Sequence, residues 1–139
     1  MNDASWLSKR LKSLHMSLQT SLTSDQRTSR QQIGDQGEQQ ALAYLEQAGL
    51  RLVQRNFLCK GGEIDLIMQD QASLVFVEVR KRSSAQFGGA IASITASKQK
   101  RMVHAAQVYL QKLTSVPACR FDAVLIQGEE LTWLKNIIS

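Results

Sequence analysis

Two short apolar runs constrain this chain more than anything else in it. "EIDLIM" (Glu63–Met68) and "SLVFVEV" (Ser73–Val79) are separated by the polar "QDQA". Both are rich in β-branched and aromatic residues and too short for helices, so they read as neighbouring strands of a hairpin. Each carries a carboxylate among apolar neighbours, Asp65 in the first and Glu78 in the second. An unpaired buried carboxylate is costly, so a metal, a basic partner or an edge position in water must compensate it.

Strand parity sharpens the problem. Side chains alternate, so Glu63, Asp65 and Ile67 share one face of the first strand. Leu74, Phe76, Glu78, Arg80 and Arg82 share one face of the second. A turn of even length then puts Asp65 and Glu78 on the same side. With the Val79 carbonyl they form a hard-oxygen site suited to Mg²⁺, or Mn²⁺, with Asp65 and Glu78 as the metal-binding carboxylates. Arg80 points into that site.

The rest of the chain supplies a frame. "GDQGEQQALAYLEQAGL" reads as a helix with Gly49 as its stop signal. "RLVQRNFLC" alternates as a half-buried strand does. After the hairpin, the glycine-bearing "SSAQFGGAIASIT" leads into a second long helix, "SKQKRMVHAAQVYLQKL", which breaks before Pro117. "RFDAVLIQG" and "ELTWLKNII" read as two closing strands. The expected fold is a mixed α/β domain in the order α-β-β-β-α-β-β, with both helices covering a central sheet. Residues 1–32 are set apart as a polar, basic extension, and residues 33–139 form the domain. Leu7, Leu11, Leu14, Leu18 and Leu22 give the extension helical spacing, either for packing or as a basic arm, and "TSDQRTSRQQ" reads as a linker.

Two helical positions bear on the carboxylates. Glu38 shares the stripe of Leu42 and Leu45. A first-turn carboxylate also suits the helix dipole, so a structural role and a role at the metal both remain open. Lys98 heads the stripe of Met102, Ala105 and Tyr109 in the second helix. A cation is mildly unfavourable in a first turn, which points to an anionic partner for it.

Charge points the same way. The net charge is +5, and between Val79 and Phe121 there are eight basic residues and no acid. They are Arg80, Lys81, Arg82, Lys98, Lys100, Arg101, Lys112 and Arg120. A one-sided block fits either a nucleic-acid partner, DNA first, or a merely solvated face. Cys59 and Cys119 lack metal or redox spacing and read as reduced thiols, and His15 and His104 each stand alone. No run reaches the roughly 18 apolar residues of a membrane span, and the N-terminus lacks the apolar core of a cleavable signal. The expected location is the cytoplasm, and the oligomeric state, a dimer included, stays open.

"GDQGEQQALAYL", "RNFLCKGGEIDLIMQD", "LVFVEVRKR", "FGGAIASITASKQKRM" and "RFDAV" resemble the YraN family of bacterial proteins, from about Ile33 onward. That family is similar in turn to the restriction-endonuclease-like superfamily, which includes Holliday-junction resolvases. The resemblance implies a mixed sheet flanked by helices and a site of Asp, then Glu-x-Lys, often with a helix Glu. On this chain these are Asp65, Glu78 and Glu38, with Arg80 at the lysine position and Lys98 as a source of the missing amine. Arginine keeps its proton, so it stabilises charge without serving as a base. Three readings follow. One is a Mg²⁺-dependent endonuclease whose metal polarises the phosphate, with catalytic residues Asp65, Glu78, Arg80, Glu38 and Lys98. Another is a weak or inactive nucleic-acid-binding module that uses Arg80, Lys81, Arg82, Lys98, Lys100 and Arg101. The third is a structural pairing of Asp65 and Glu78 with Arg80 and Arg82.

Overall fold

The computed structural model of the protein describes residues 29–82 and 91–138. The leucine-spaced extension, His15 and most of the glycine-bearing connection lie outside these residues. The elements are α1 (Ser29–Gln47), β1 (Arg51–Cys59), β2 (Gly62–Asp70), β3 (Ser73–Arg82), a 3-10 turn (Ile91–Ser93), α2 (Ala96–Leu110), β4 (Cys119–Gln127) and β5 (Glu130–Leu134). This is the α-β-β-β-α-β-β order, built as one five-stranded sheet in sequence order. Neighbouring strands are antiparallel except β3 and β4, which run parallel because α2 crosses between them.

Each face of the sheet receives one helix. Ala41, Leu42 and Leu45 of α1 pack with Leu66, Met68, Val75, Val77, Val124 and Ile126. Ala105, Ala106 and Tyr109 of α2 pack on the other face with Val53, Phe57, Ile64, Ile67, Leu74 and Phe76. Two glycines allow close approach. The Arg101 carbonyl of α2 sits where a Cβ on Gly62 would lie, so any side chain there would displace backbone. A Cβ on Gly37 would stand 3.3 Å from the Lys81 Cβ, which lets α1 settle against the end of β3. The first turns of α2 therefore flank the same end of the sheet as the start of β2 and the end of β3.

Four details differ from the sequence reading. Helix α1 begins at Ser29, so residues 29–32 are helical rather than linker, and the helix runs through the expected boundary at residue 33. The "QDQA" turn shortens to Gln71–Ala72, because Gln69 and Asp70 pair with Leu74 and Ser73. Gln71 takes φ 55, which a tight reversal requires. Strand β5 stops at Leu134 rather than running on to Ile138. Asn136 turns left-handed (φ 59) and its N–H is donated to Asp122.

The fourth concerns Arg120, which leaves the basic block for a structural cluster. Its Nε donates to both oxygens of the fully buried Asp122, each at 3.1 Å, and its Nη1 reaches Asp70 at 3.0 Å. Asp122 also accepts from Trp133 Nε1 at 2.9 Å and from the Asn136 N–H at 2.9 Å. One carboxylate thus ties the end of β2, β4, β5 and the following segment together. Asp122→Ala should cost roughly 2–4 kcal/mol, because it leaves the half-buried Arg120 with Asp70 alone and strands two further donors. Urea denaturation would measure this, and Arg82→Ala, on an exposed side chain, should change little.

Candidate functional site

The antiparallel register of β2 and β3 ends at Leu66↔Val77. Beyond that pair the two strands separate, and Asp65 and Glu78 would form the next rung. The Asp65 side chain takes over the lost ladder contact, its Oδ2 accepting the Val79 N–H at 2.8 Å. The Asp65 and Glu78 carboxyls lie within hydrogen-bonding reach of each other. Glu78 is 5% exposed, and its Oε1 is paired with Arg80 Nη2 at 2.6 Å. The opening between the strands thus holds two carboxyls and one guanidinium.

Strict alternation of side chains fails on β2. Leu66 faces the α1 core, but Ile64 and Ile67 both face the α2 core. Side chains of β2 therefore do not alternate strictly, and Glu63, Asp65 and Ile67 do not form one continuous face. The change of face occurs at Asp65 itself, where the strand turns out of the ladder.

Electrostatics follow from this crowding. Burial pushes Asp65 well above the usual carboxylate range, the charges of Glu78 and Glu38 add to it, and the Val79 N–H and Arg80 oppose it. Burial also raises Glu78, with Arg80 pulling the other way through charge and hydrogen bonding. Glu38 is pushed up to about 7, first by burial and then against the opposing charge of Arg55. Its neighbours Asp35 and Glu63 raise it and an Asn56 hydrogen bond lowers it. Glu38 Oε1 and Arg80 Nε are both buried without a hydrogen-bond partner. Two side chains at this opening therefore still lack a ligand for one polar atom each.

The profile described as "Uncharacterised protein family UPF0102" matches residues 37–126. A UPF0102 protein of Janthinobacterium sp. (strain Marseille) is 60% identical over 112 residues, covering 81% of this chain and 91% of that protein. A second, from Herminiimonas arsenicoxydans, is 57% identical over 81% of this chain and 90% of its own length. A third, from Cupriavidus taiwanensis, is 54% identical over 84% of this chain and 89% of its own length. The chain belongs to the UPF0102, or YraN, family. The matched span runs from α1 to β4 and includes every residue of the opening.

Around that opening the UPF0102 chain gathers some of its basic residues and uses others elsewhere. Lys81 donates to Gln40 at 2.9 Å and Arg82 to the Lys81 carbonyl at 3.1 Å. Arg82 therefore does not pair with either carboxylate. Lys98 lies half-buried in the first turn of α2, where Thr95 caps its N–H at 3.2 Å. Among the described residues its ammonium forms no hydrogen bond or ion pair with Asp65, Glu78 or Glu38. Lys100 and Arg101 are exposed on the same helix. Lys112 stands over the Phe57 ring at 4.8 Å from its centroid. His104 bonds through Nε2 to the Lys60 carbonyl at 3.0 Å and so pins the β1–β2 turn to α2. Cys59 and Cys119 are free thiols. Among the described residues no helix is long and apolar enough to cross a membrane.

A divalent cation fits the donor chemistry of the opening, though sparsely. Asp65 and Glu78 offer hard oxygens, and the Val79 carbonyl points to the same side as the N–H that Asp65 captures. Among the described residues no group of three or more His, Cys, Asp or Glu is placed to hold a metal. A cation here would take two carboxylates and complete its shell with main-chain and water oxygens, a pattern usual for Mg²⁺.

Asn56 is a site residue that the sequence reading passed over. It faces the Asp65 position across the β1–β2 ladder and reaches Glu38. Its signal was an asparagine inside a strand-like run, since asparagine tolerates left-handed backbone that its neighbours do not.

The raised pKa of Glu38 fixes the sign of a stability effect. The folded state holds its proton more tightly than the unfolded chain, so its contribution is intact below about pH 4.5 and lost as pH rises through about 7. Glu38→Gln should therefore match wild type at pH 4 and exceed it at pH 8. After allowance for solvent screening of a partly exposed group, the gain is about 1 kcal/mol, or roughly 4 °C in Tm. Thermal melts at the two pH values check both sign and size.

Proposed function

We propose that this chain is a divalent-metal-dependent phosphodiesterase that cuts nucleic acid, DNA first, at the opening between β2 and β3. The observation that carries this reading is the placement of half-buried Asp65 and buried Glu78 in hydrogen-bonding reach, at a point where the sheet itself opens. Two ionisable acids held together against their own repulsion are a liability to the fold, and such arrangements concentrate at functional sites. The basic residues at this end of the sheet give an anionic polymer a reason to approach.

The roles follow from the contacts. Asp65 and Glu78 would hold the cation, helped by the Val79 carbonyl. When bound there, a divalent cation polarises a phosphate and acidifies a water. Arg80 is oriented by its pair with Glu78, and its buried Nε has no other partner. Its guanidinium stabilises charge on the phosphate and takes no proton. Glu38, raised to about 7 and with Oε1 unpartnered, suits the task of accepting a proton from water near neutral pH. Lys81, Arg82, Lys98, Lys100 and Arg101 would track the backbone on either side.

A second reading, a nucleic-acid-binding module with little or no cleavage, also has a specific observation in its favour. The tight Arg80–Glu78 pair supplies one of the two acids with a counter-charge without any metal. One gel separates the readings. Branched, single-stranded and duplex DNA are incubated with Mg²⁺, with Mn²⁺ and with EDTA, using wild type, Asp65→Ala, Arg80→Lys, Arg80→Ala and Glu38→Gln. The enzyme reading expects metal-dependent cleavage that Asp65→Ala abolishes, Arg80→Lys keeps or increases, and Arg80→Ala weakens. Glu38→Gln should lower cleavage while leaving binding in place. A binder shows none of these bands, yet its affinity falls with Arg80→Ala and drops steeply between 50 and 200 mM salt, by roughly 10-fold or more. Cleavage that survives Asp65→Ala would sink the mechanism.

A further inference from the structure

Both strands of the β1–β2 hairpin change face at the same rung. On β1, Arg55 lies on the α1 side, where it donates to Gln39 at 3.2 Å, but Phe57 lies in the α2 core. On β2, Leu66 lies in the α1 core and Ile64 in the α2 core. Arg55 pairs with Leu66 and Phe57 with Ile64, so the rung between them is Asn56 opposite Asp65. That rung is absent from the ladder. Asn56 there takes φ 51, inside a nine-residue strand. A residue with φ > 0 rotates the chain, and asparagine is among the few side chains that accept it at low cost. Across from it, Asp65 turns out of the sheet and captures the Val79 N–H at 2.8 Å.

We infer that Asn56 is a positioning residue for the proposed site: its left-handed backbone swings Asp65 out of the ladder towards Glu78, and its amide braces Glu38. The two effects sit on one residue but separate experimentally, because the first needs only the backbone and the second needs the side chain. Left-handed backbone inside a strand breaks the ladder, so it persists only where its surroundings enforce it, and such departures collect at functional sites. Here the enforcement is visible. Gly62 is locked under the Arg101 carbonyl, and the Lys60 carbonyl is held by His104, so the hairpin's tip is fixed beyond the kink. This inference rests on the proposed function for its purpose, though its geometry can be tested without it.

The test uses the full chain with Asn56→Val and Asn56→Gly, and two measurements. The first is the amide proton of Val79 in a ¹⁵N–¹H spectrum without metal. The second is Mn²⁺ affinity by calorimetry, with Tm recorded for each variant. Valine disfavours φ > 0 and favours a regular strand. In Asn56→Val the Val79 amide should move upfield and lose exchange protection, as in Asp65→Ala, and Mn²⁺ affinity should fall about 10-fold or more. Glycine keeps the left-handed backbone, so the Val79 amide should stay in place and affinity should fall less. In a Glu38→Gln background the glycine variant should cause no further loss.

An unshifted Val79 amide in Asn56→Val would overturn the inference. So would a shifted amide in Asn56→Gly, which stands as the test if the valine variant fails to fold. If wild type binds no Mn²⁺, the proposed function fails, while the Val79 amide still decides whether Asn56 positions Asp65.

Discussion

The hydrogen bond from the Val79 N–H to Asp65 governs the site. Where β2 and β3 part, a buried main-chain donor would lose its ladder partner, and leaving it unmet would cost about 1–3 kcal/mol. A carboxylate oxygen from the departing strand meets it at 2.8 Å. That contact brings Asp65 to the Glu78 carboxyl, and it leaves the sheet open there without an orphaned amide. The same bond lowers the cost of ionising Asp65, although burial and the neighbouring acids outweigh it. The opening is thus a local compromise between backbone satisfaction and charge repulsion.

Burial dominates the electrostatics of all three acids. Arg80 offsets only Glu78 by direct contact, at 2.6 Å. The contrast with Asp122 is instructive. That carboxylate is at least as buried, yet four hydrogen-bond contacts surround it, two of them from one guanidinium nitrogen. Asp122 is a satisfied structural acid, whereas the Asp65–Glu78–Glu38 group is under-compensated as folded. The two clusters therefore differ in how well their charge is met, although Asp65, Glu78 and Asp122 all occur in apolar strand segments of the sequence. The family match includes Asp65, Glu78, Glu38 and Asp122 alike and does not separate them.

Much of this was legible in the sequence, for identifiable reasons. The hairpin parity survived an error in the turn. Moving Gln69 and Asp70 into β2 while Ser73 still opens β3 shifts the register by two residues, an even step, so Asp65 stays on the Glu78 side and comes opposite that position. Helix stripes placed Leu42, Leu45, Met102, Ala105 and Tyr109 in the core correctly. The features that escaped are those in which one residue overrides a periodic pattern. Asn56 flips two strands at once, Asn136 ends β5 inside an apolar run, and "SRQQ" is helical with no apolar signal to announce it. Arg120 escaped because a block of like charge hides which member has a carboxylate waiting on a distant strand.

The central claim is that the Asp65–Glu78 pair is a cation site whose burial disfavours the ionised acids. The most direct test is calorimetric titration of Mn²⁺ into the intact chain near pH 7, in buffers of different ionisation enthalpy. Burial favours the protonated acids and a cation favours the ionised ones, so the account predicts binding coupled to proton release, and neither in Asp65→Asn. Binding whose heat is the same in every buffer, or undiminished binding by Asp65→Asn, would contradict it.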